Sequence, residues 1–132
     1  MVLADSTIVE VGAVAPLKWV APALAGNSLG ELWAYQSASG EFEVVDKETG
    51  TILRTIDGEG KLPVGNGAKF AKALAQWGGH WYAFTAEKTS GTASATSVHR
   101  YNPEDGSFMK VASIDGHVRG ASASTCAPPR VL

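Results

Sequence analysis

The chain is poor in features that define several classes of protein. Only one of its 132 residues is cysteine, Cys126, so it cannot form an intrachain disulfide or a cysteine-rich metal site. Its 11 basic and 13 acidic residues include no lysine- or arginine-rich cluster, which argues against a nucleic-acid partner. The longest apolar runs fall far short of a bilayer-crossing helix, and no charged segment followed by an apolar one opens the chain. We therefore expect no membrane span.

The composition instead favours short strands joined by tight turns. Hydrophobic residues make up 45% and charged residues 18% of the chain, as in a folded domain with a real core. Fifteen glycines and six prolines, together with frequent Ala, Ser and Thr, suit an all-β domain better than a helical bundle.

An internal repeat organises the sequence. Trp33 and Tyr82 lie 49 residues apart in two similar aromatic segments, and two acidic turns that end in Gly50 and Gly106 follow them 56 residues apart. The first copy holds 23–25 (ALA) and 32–35 (LWAY), and the second holds 73–75 (ALA) and 81–84 (WYAF). The offset grows because the second copy carries a longer hairpin loop. A period near fifty residues is typical of four-stranded propeller blades.

The repeat predicts an all-β, propeller-like partial array of antiparallel four-stranded units, about two and a half blades in one domain over residues 1–132. Its parts are an outer strand over 6–12, a blade over 18–57, a second blade over 68–115 and an inner strand over 118–125. Residues 68–77 also fit an amphipathic helix, since Phe70, Leu74 and Trp77 are spaced i, i+4, i+7. The first copy has Pro22 in the corresponding segment, which favours strands in both.

Three segments carry a resemblance to a known group of proteins: residues 76–85 (QWGGHWYAFT), 98–106 (VHRYNPEDG) and 124–128 (STCAP). They resemble the C-terminal part of uncharacterised, predicted-secreted, propeller-like repeat proteins of myxobacteria. The resemblance covers about the last half of the chain; the inner strand near Lys72 and the tail at 120–124 depart from the group's pattern. It implies a propeller-like fold and a secreted or periplasmic location, and it transfers no catalytic residues.

The residues that could carry chemistry do not form a recognisable constellation. His80, His99 and His117 lack the short spacings of metal ligands, so we expect no metal site and no cofactor. The acidic turns before Gly50 and Gly106 are explained as turns between strands, and no Gly-x-Ser-x-Gly motif is present. Cys126 has the character of a buried, inert thiol. No residue is assigned a catalytic role.

Aromatic side chains are the better candidates for ligand binding. Trp33 and Tyr82 recur at matching positions, which favours packing between repeats. Trp19 and Trp77 match no aromatic in the other copy, so they are candidate ligand-binding residues together with His80, which lies at a strand-start turn.

These observations favour a non-enzymatic binding or interaction module whose ligand is a glycan or a protein. One alternative is a structural, self-assembling repeat unit. Another is an enzyme fragment whose site is completed by a second chain, in which case the pure protein would hold stoichiometric zinc or calcium.

The incomplete set of blades predicts self-association, with a dimer ahead of a trimer. Terminal strands without the rest of their blade expose edges, and two copies would supply about five blades, within the range of closed propellers. Light scattering at micromolar concentration measures the mass. A monomeric mass of 13.7 kDa would contradict the prediction and favour the alternative, in which the chain ends pair with each other in a two-sheet sandwich.

Overall fold

The computed structural model describes residues 22–36, 39–58, 70–87, 95–124 and 126–128, and these residues form an all-β structure. The first sheet contains β1 (Ala23–Gly26), β2 (Leu32–Gln36), β3 (Glu41–Val45) and β4 (Ile52–Ile56). The second contains β5 (Phe70–Trp77), β6 (His80–Glu87), β7 (Thr96–Asn102) and β8 (Ser107–Ile114). Each sheet is an antiparallel meander in sequence order. The described part of the chain holds no helix with the length and hydrophobicity that a membrane crossing requires.

The pairing registers follow the repeat found in the sequence. Ala23 pairs with Tyr35, as Ala73 pairs with Phe84 in the second sheet. Between the second and third strands, Trp33 pairs with Val44 as Tyr82 pairs with Arg100. Between the third and fourth strands, Val45 pairs with Ile52 as Tyr101 pairs with Phe108. All three ladders therefore use the offsets read from the sequence. The repeat-like sheets are confirmed, and residues 70–77 form a strand and not a helix.

The turns between the last two strands of each sheet match as well. The amide of Gly50 donates to the carbonyl of Asp46, and the amide of Gly106 donates to the carbonyl of Asn102. Both glycines have positive φ, which side-chain-bearing residues rarely adopt. The Asp46 carboxylate accepts the amides of Glu48 and Thr49 at 2.8 and 3.2 Å, and these bonds lower its pKa. Hydrogen bonds within the turn thus occupy the Oδ1 atom of Asp46.

Aromatic rings fill the space between the two sheets. The indoles of Trp33 and Trp81 stack with their centroids 4.6 Å apart, and Tyr101 stacks on Phe108 at 4.5 Å. Phe42 lies beside both Tyr101 and Phe108. The backbones of the two sheets come closest at their first strands, β1 and β5.

The two sheets pack front to back. Trp33 and Tyr35 of β2 point toward the second sheet, whereas the second sheet presents Trp81 and Ala83 of β6 to the first. Because side chains alternate along a strand, Tyr82 and Phe84 lie on the opposite face of β6, which we call the outer face. Tyr35 is fully buried and Phe84 is half-buried, so these two residues at matching repeat positions have different environments.

One further expectation differs from the structure, because residues 118–124 form no strand. The tail is bound to the second sheet at two points: the Val118 amide donates to Thr96 Oγ1, and Gln76 Nε2 donates to the carbonyl of Pro128. Among the described strands, the first strand of each sheet pairs only with the second strand of its own sheet. A following inner strand would therefore need a second strand of its own, and no described residue supplies it. The predicted outer strand over 6–12 lies outside the described residues.

The aromatic stack predicts a large difference between two tryptophans of the same hairpin. Trp81 is 2% exposed and Trp77 is 58% exposed. Replacing Trp81 by alanine should lower the free energy of unfolding by about 3–5 kcal/mol through lost burial and a residual cavity. The Trp77→Ala control should cost less than about 1 kcal/mol. Urea denaturation measures both, and equal losses would contradict the packing.

Burial of His99 predicts a dependence of stability on pH. Desolvation, with a smaller effect of Lys110, lowers the pKa of His99 below its ordinary value of 6.5. The unfolded chain therefore binds a proton at His99 more readily than the folded chain does. The contribution of neutral His99 to the free energy of unfolding is complete above about pH 6.5 and falls as the pH drops toward the folded-state pKa. Urea titrations at several pH values should show a weaker acid loss in His99→Leu than in the wild type. Lys110→Met should lose nearly as much stability in acid as the wild type, because desolvation is the larger cause of the shift. An equal dependence of the free energy of unfolding on pH in wild type and His99→Leu would contradict the role of His99.

Candidate functional site

The hairpin between β5 and β6 brings together two of the three residues predicted to bind a ligand. Gly78 and Gly79, with φ of 56° and 81°, form the two-residue turn, and this conformation requires positive φ at both positions. The turn sets Trp77 directly across from His80 in the ladder. Both lie on the outer face, because their neighbours Gln76 and Trp81 lie on the other one. Trp19, the third candidate, lies outside the described residues.

The two side chains differ in accessibility. More than half of the Trp77 side chain is open to solvent, so a ring face is available for stacking. His80 is half-buried, and its Nδ1 atom is buried without a hydrogen-bond partner among the described residues. Tyr82 follows on the same face of β6, also half-buried. An exposed indole beside a histidine and a phenol is a surface suited to an amphipathic ligand.

The other histidines and the cysteine do not join this surface. His99 is buried in β7 on the face toward the first sheet, and His117 lies in the tail after β8. The described residues contain no group of three or more His, Cys, Asp or Glu side chains placed to hold a metal ion. Cys126 is exposed and not buried as expected, since it sits in the turn formed by Ser124 and Ala127.

A cleft of about 200 Å³ opens at the same end of the molecule, on the inner side of the Gly78–Gly79 turn. Three turns surround it: the β1–β2 turn, the β5–β6 turn at Gly79 and the β7–β8 turn at Pro103 and Glu104. The side chains that define its chemistry are Asn27, Glu31, Trp33, Arg54, Gln76 and Trp81. Both sheets contribute to it, so it exists only where they meet.

Glu31 is held rigidly at the cleft. Its Oε2 atom accepts hydrogen bonds from Asn27 Nδ2 at 2.7 Å and from Trp33 Nε1 at 3.1 Å. Asn27 is itself fixed, because its Oδ1 accepts the backbone amides of Leu29 and Glu31. The second carboxylate oxygen, Oε1, accepts no hydrogen bond from the described residues. Glu31 thus presents one oriented acceptor.

Arg54 and Gln76 supply polar groups of different kinds. The Arg54 guanidinium lies over the Trp33 ring, 5.4 Å from its centroid, and forms no ion pair with the described residues. Gln76 is only 3% exposed, and its Oε1 atom is buried without a donor among those residues. A buried acceptor without a partner costs about 1–3 kcal/mol, which makes this amide the least satisfied group of the cleft.

Sequence reasoning missed the cleft because its residues are far apart in the chain. Asn27 and Glu31 come from a turn, Arg54 from β4 and Gln76 from β5, and none belongs to a motif. The one local signal is the spacing of Asn27 and Glu31 around Gly30, which is typical of a side-chain-capped turn.

Comparisons with models of protein families, with curated proteins and with solved structures gave no significant match for this chain.

Proposed function

We propose that the chain is a non-enzymatic binding module built on propeller-like blades, with a glycan as its ligand. The architectural part is supported by two four-stranded meanders that pack front to back and approach most closely at their first strands. Adjacent propeller blades have this relation, with each first strand nearest the centre.

The observation that carries the binding proposal is the exposed Trp77 indole next to His80, on either side of a two-glycine turn. Sugar rings present apolar C–H faces that stack on indoles, and their hydroxyls hydrogen-bond to polar groups nearby. Trp77 offers the ring and His80 and Tyr82 offer polar atoms on the same face. Strand pairing on both sides of the turn fixes the backbone of this platform before a ligand binds, which reduces the entropy lost on binding.

The outer strands favour a second candidate, the structural self-assembling unit. Within the described part of the chain, β4 and β8 each pair on one side only, and Leu53, Met109 and Val111 are exposed along them. Exposed apolar edge strands are association-prone. In that case the mass of the protein in solution would depend on β8. A substitution such as Val111→Lys would dissociate the assembly without affecting a glycan-binding site at Trp77.

A glycan array with matched variants tests the binding proposal. Trp77→Ala should weaken binding of the glycans recognised by the wild type about tenfold or more, since a stacked ring contributes on the order of 1.4 kcal/mol. Trp77→Phe should retain part of the affinity, and Leu53→Ala, an exposed apolar substitution in β4, should retain all of it. An array without hits for the folded wild type, or hits unaffected by Trp77→Ala, would contradict the proposal.

A further inference from the structure

The cleft between the sheets has its own chemistry, separate from the Trp77 surface. Gln76 and Trp81 point into it, whereas Trp77 and His80 lie on the outer face of the same hairpin. Its groups without partners among the described residues include the acceptors Glu31 Oε1 and Gln76 Oε1 and a strong donor, the Arg54 guanidinium. The walls are the edges of two stacked indoles.

This combination discriminates among ligand classes. A small anion would pair with Arg54 but meet the carboxylates of Glu31 and Glu104, which also lines the cleft. A small cation would pair with those carboxylates but meet the guanidinium. A neutral vicinal diol avoids both conflicts, because one hydroxyl donates to a carboxylate or amide oxygen while its neighbour accepts from Arg54.

The size of the cleft agrees with a compact ligand. About 200 Å³ accommodates one six-membered sugar or cyclitol ring. The Gln76 amide lies at the cleft wall, where its Nε2 atom donates to the Pro128 carbonyl at 3.3 Å and its Oε1 atom is buried without a donor among the described residues. A ligand hydroxyl that reaches this oxygen supplies the donor that it lacks.

We propose that this cleft is a binding site for a single neutral polyhydroxylated ring, a monosaccharide or cyclitol, whose vicinal hydroxyls bridge Glu31 or Gln76 and Arg54. The site goes beyond the glycan surface at Trp77 and does not depend on it. A ligand with about twelve heavy atoms and few contacts binds with millimolar affinity, so the experiment uses concentrations up to about 50 mM.

The indole N–H of Trp33 provides a specific reporter, because it donates to Glu31 Oε2. In a ¹H–¹⁵N NMR titration, at least one of glucose, galactose, mannose and myo-inositol should shift the Trp33 indole signal with saturation, while the Trp77 signal stays in place. Acetate and methylguanidinium, tested at the same concentration, should leave the Trp33 signal unchanged. Substitutions at each tryptophan assign the four indole signals.

Three variants connect the shift to the cleft. Arg54→Met keeps an apolar stem over Trp33 and removes the donor, and Gln76→Leu removes the amide; each should weaken binding about tenfold. Trp77→Ala should bind the ring as the wild type does, although it lacks the proposed glycan surface, so the two proposals fail separately. The inference is overturned if no ring compound shifts the Trp33 signal of the folded protein, if acetate or methylguanidinium shifts it equally, or if Arg54→Met and Gln76→Leu bind as tightly as the wild type.

Discussion

The stack of Trp33 on Trp81 joins the two sheets, and much of the remaining structure depends on it. Each indole lies on the second strand of its sheet, and the two rings meet 4.6 Å apart at an angle of 25°. Offset stacking of this kind contributes about 0.5–1.5 kcal/mol beyond the burial of the rings themselves. Because the backbones of the described strands approach most closely at β1 and β5, large rings fill the wider space between β2 and β6. The same rings line the cleft, so packing of the sheets and the shape of the cleft have one cause.

Front-to-back packing explains why repeated residues have different roles. Trp33 and Tyr82 occupy the same register position in the two sheets, yet Trp33 packs against Trp81, the residue before Tyr82. Side chains alternate across a strand, so a neighbour in sequence belongs to the other face. In stacked repeats, one face of each unit contacts the unit before it and the other face contacts the unit after it. Tyr82 and Phe84 on the outer face of the second sheet match Trp33 and Tyr35 of the first sheet. The second sheet covers that face of the first sheet.

Local chemistry made the strands predictable, and long-range geometry made the cleft unpredictable. Turn residues such as Asp46 and Gly50 fix the hairpins by hydrogen bonds and positive φ, and they repeat in the sequence. Ladder registers follow from those turns. Glu31, Arg54 and Gln76 show no such pattern, because each acquires its role only when the two sheets meet. The tail at 118–124 forms no strand, because strand pairing depends on a neighbouring strand and not only on a segment's own residues.

The β5–β6 hairpin separates two surfaces with different chemistry through a single turn. A two-residue turn fixes the register, so Gln76 and Trp81 share one face while Trp77 and His80 share the other. The opposite face, which packs against the first sheet, carries the buried Gln76 amide and the edge of the Trp81 indole. The outer face keeps an exposed indole that no described residue covers fully. Glycine at both turn positions is what allows this register without strain, and the division between cleft and outer face therefore follows from two residues that carry no side chain.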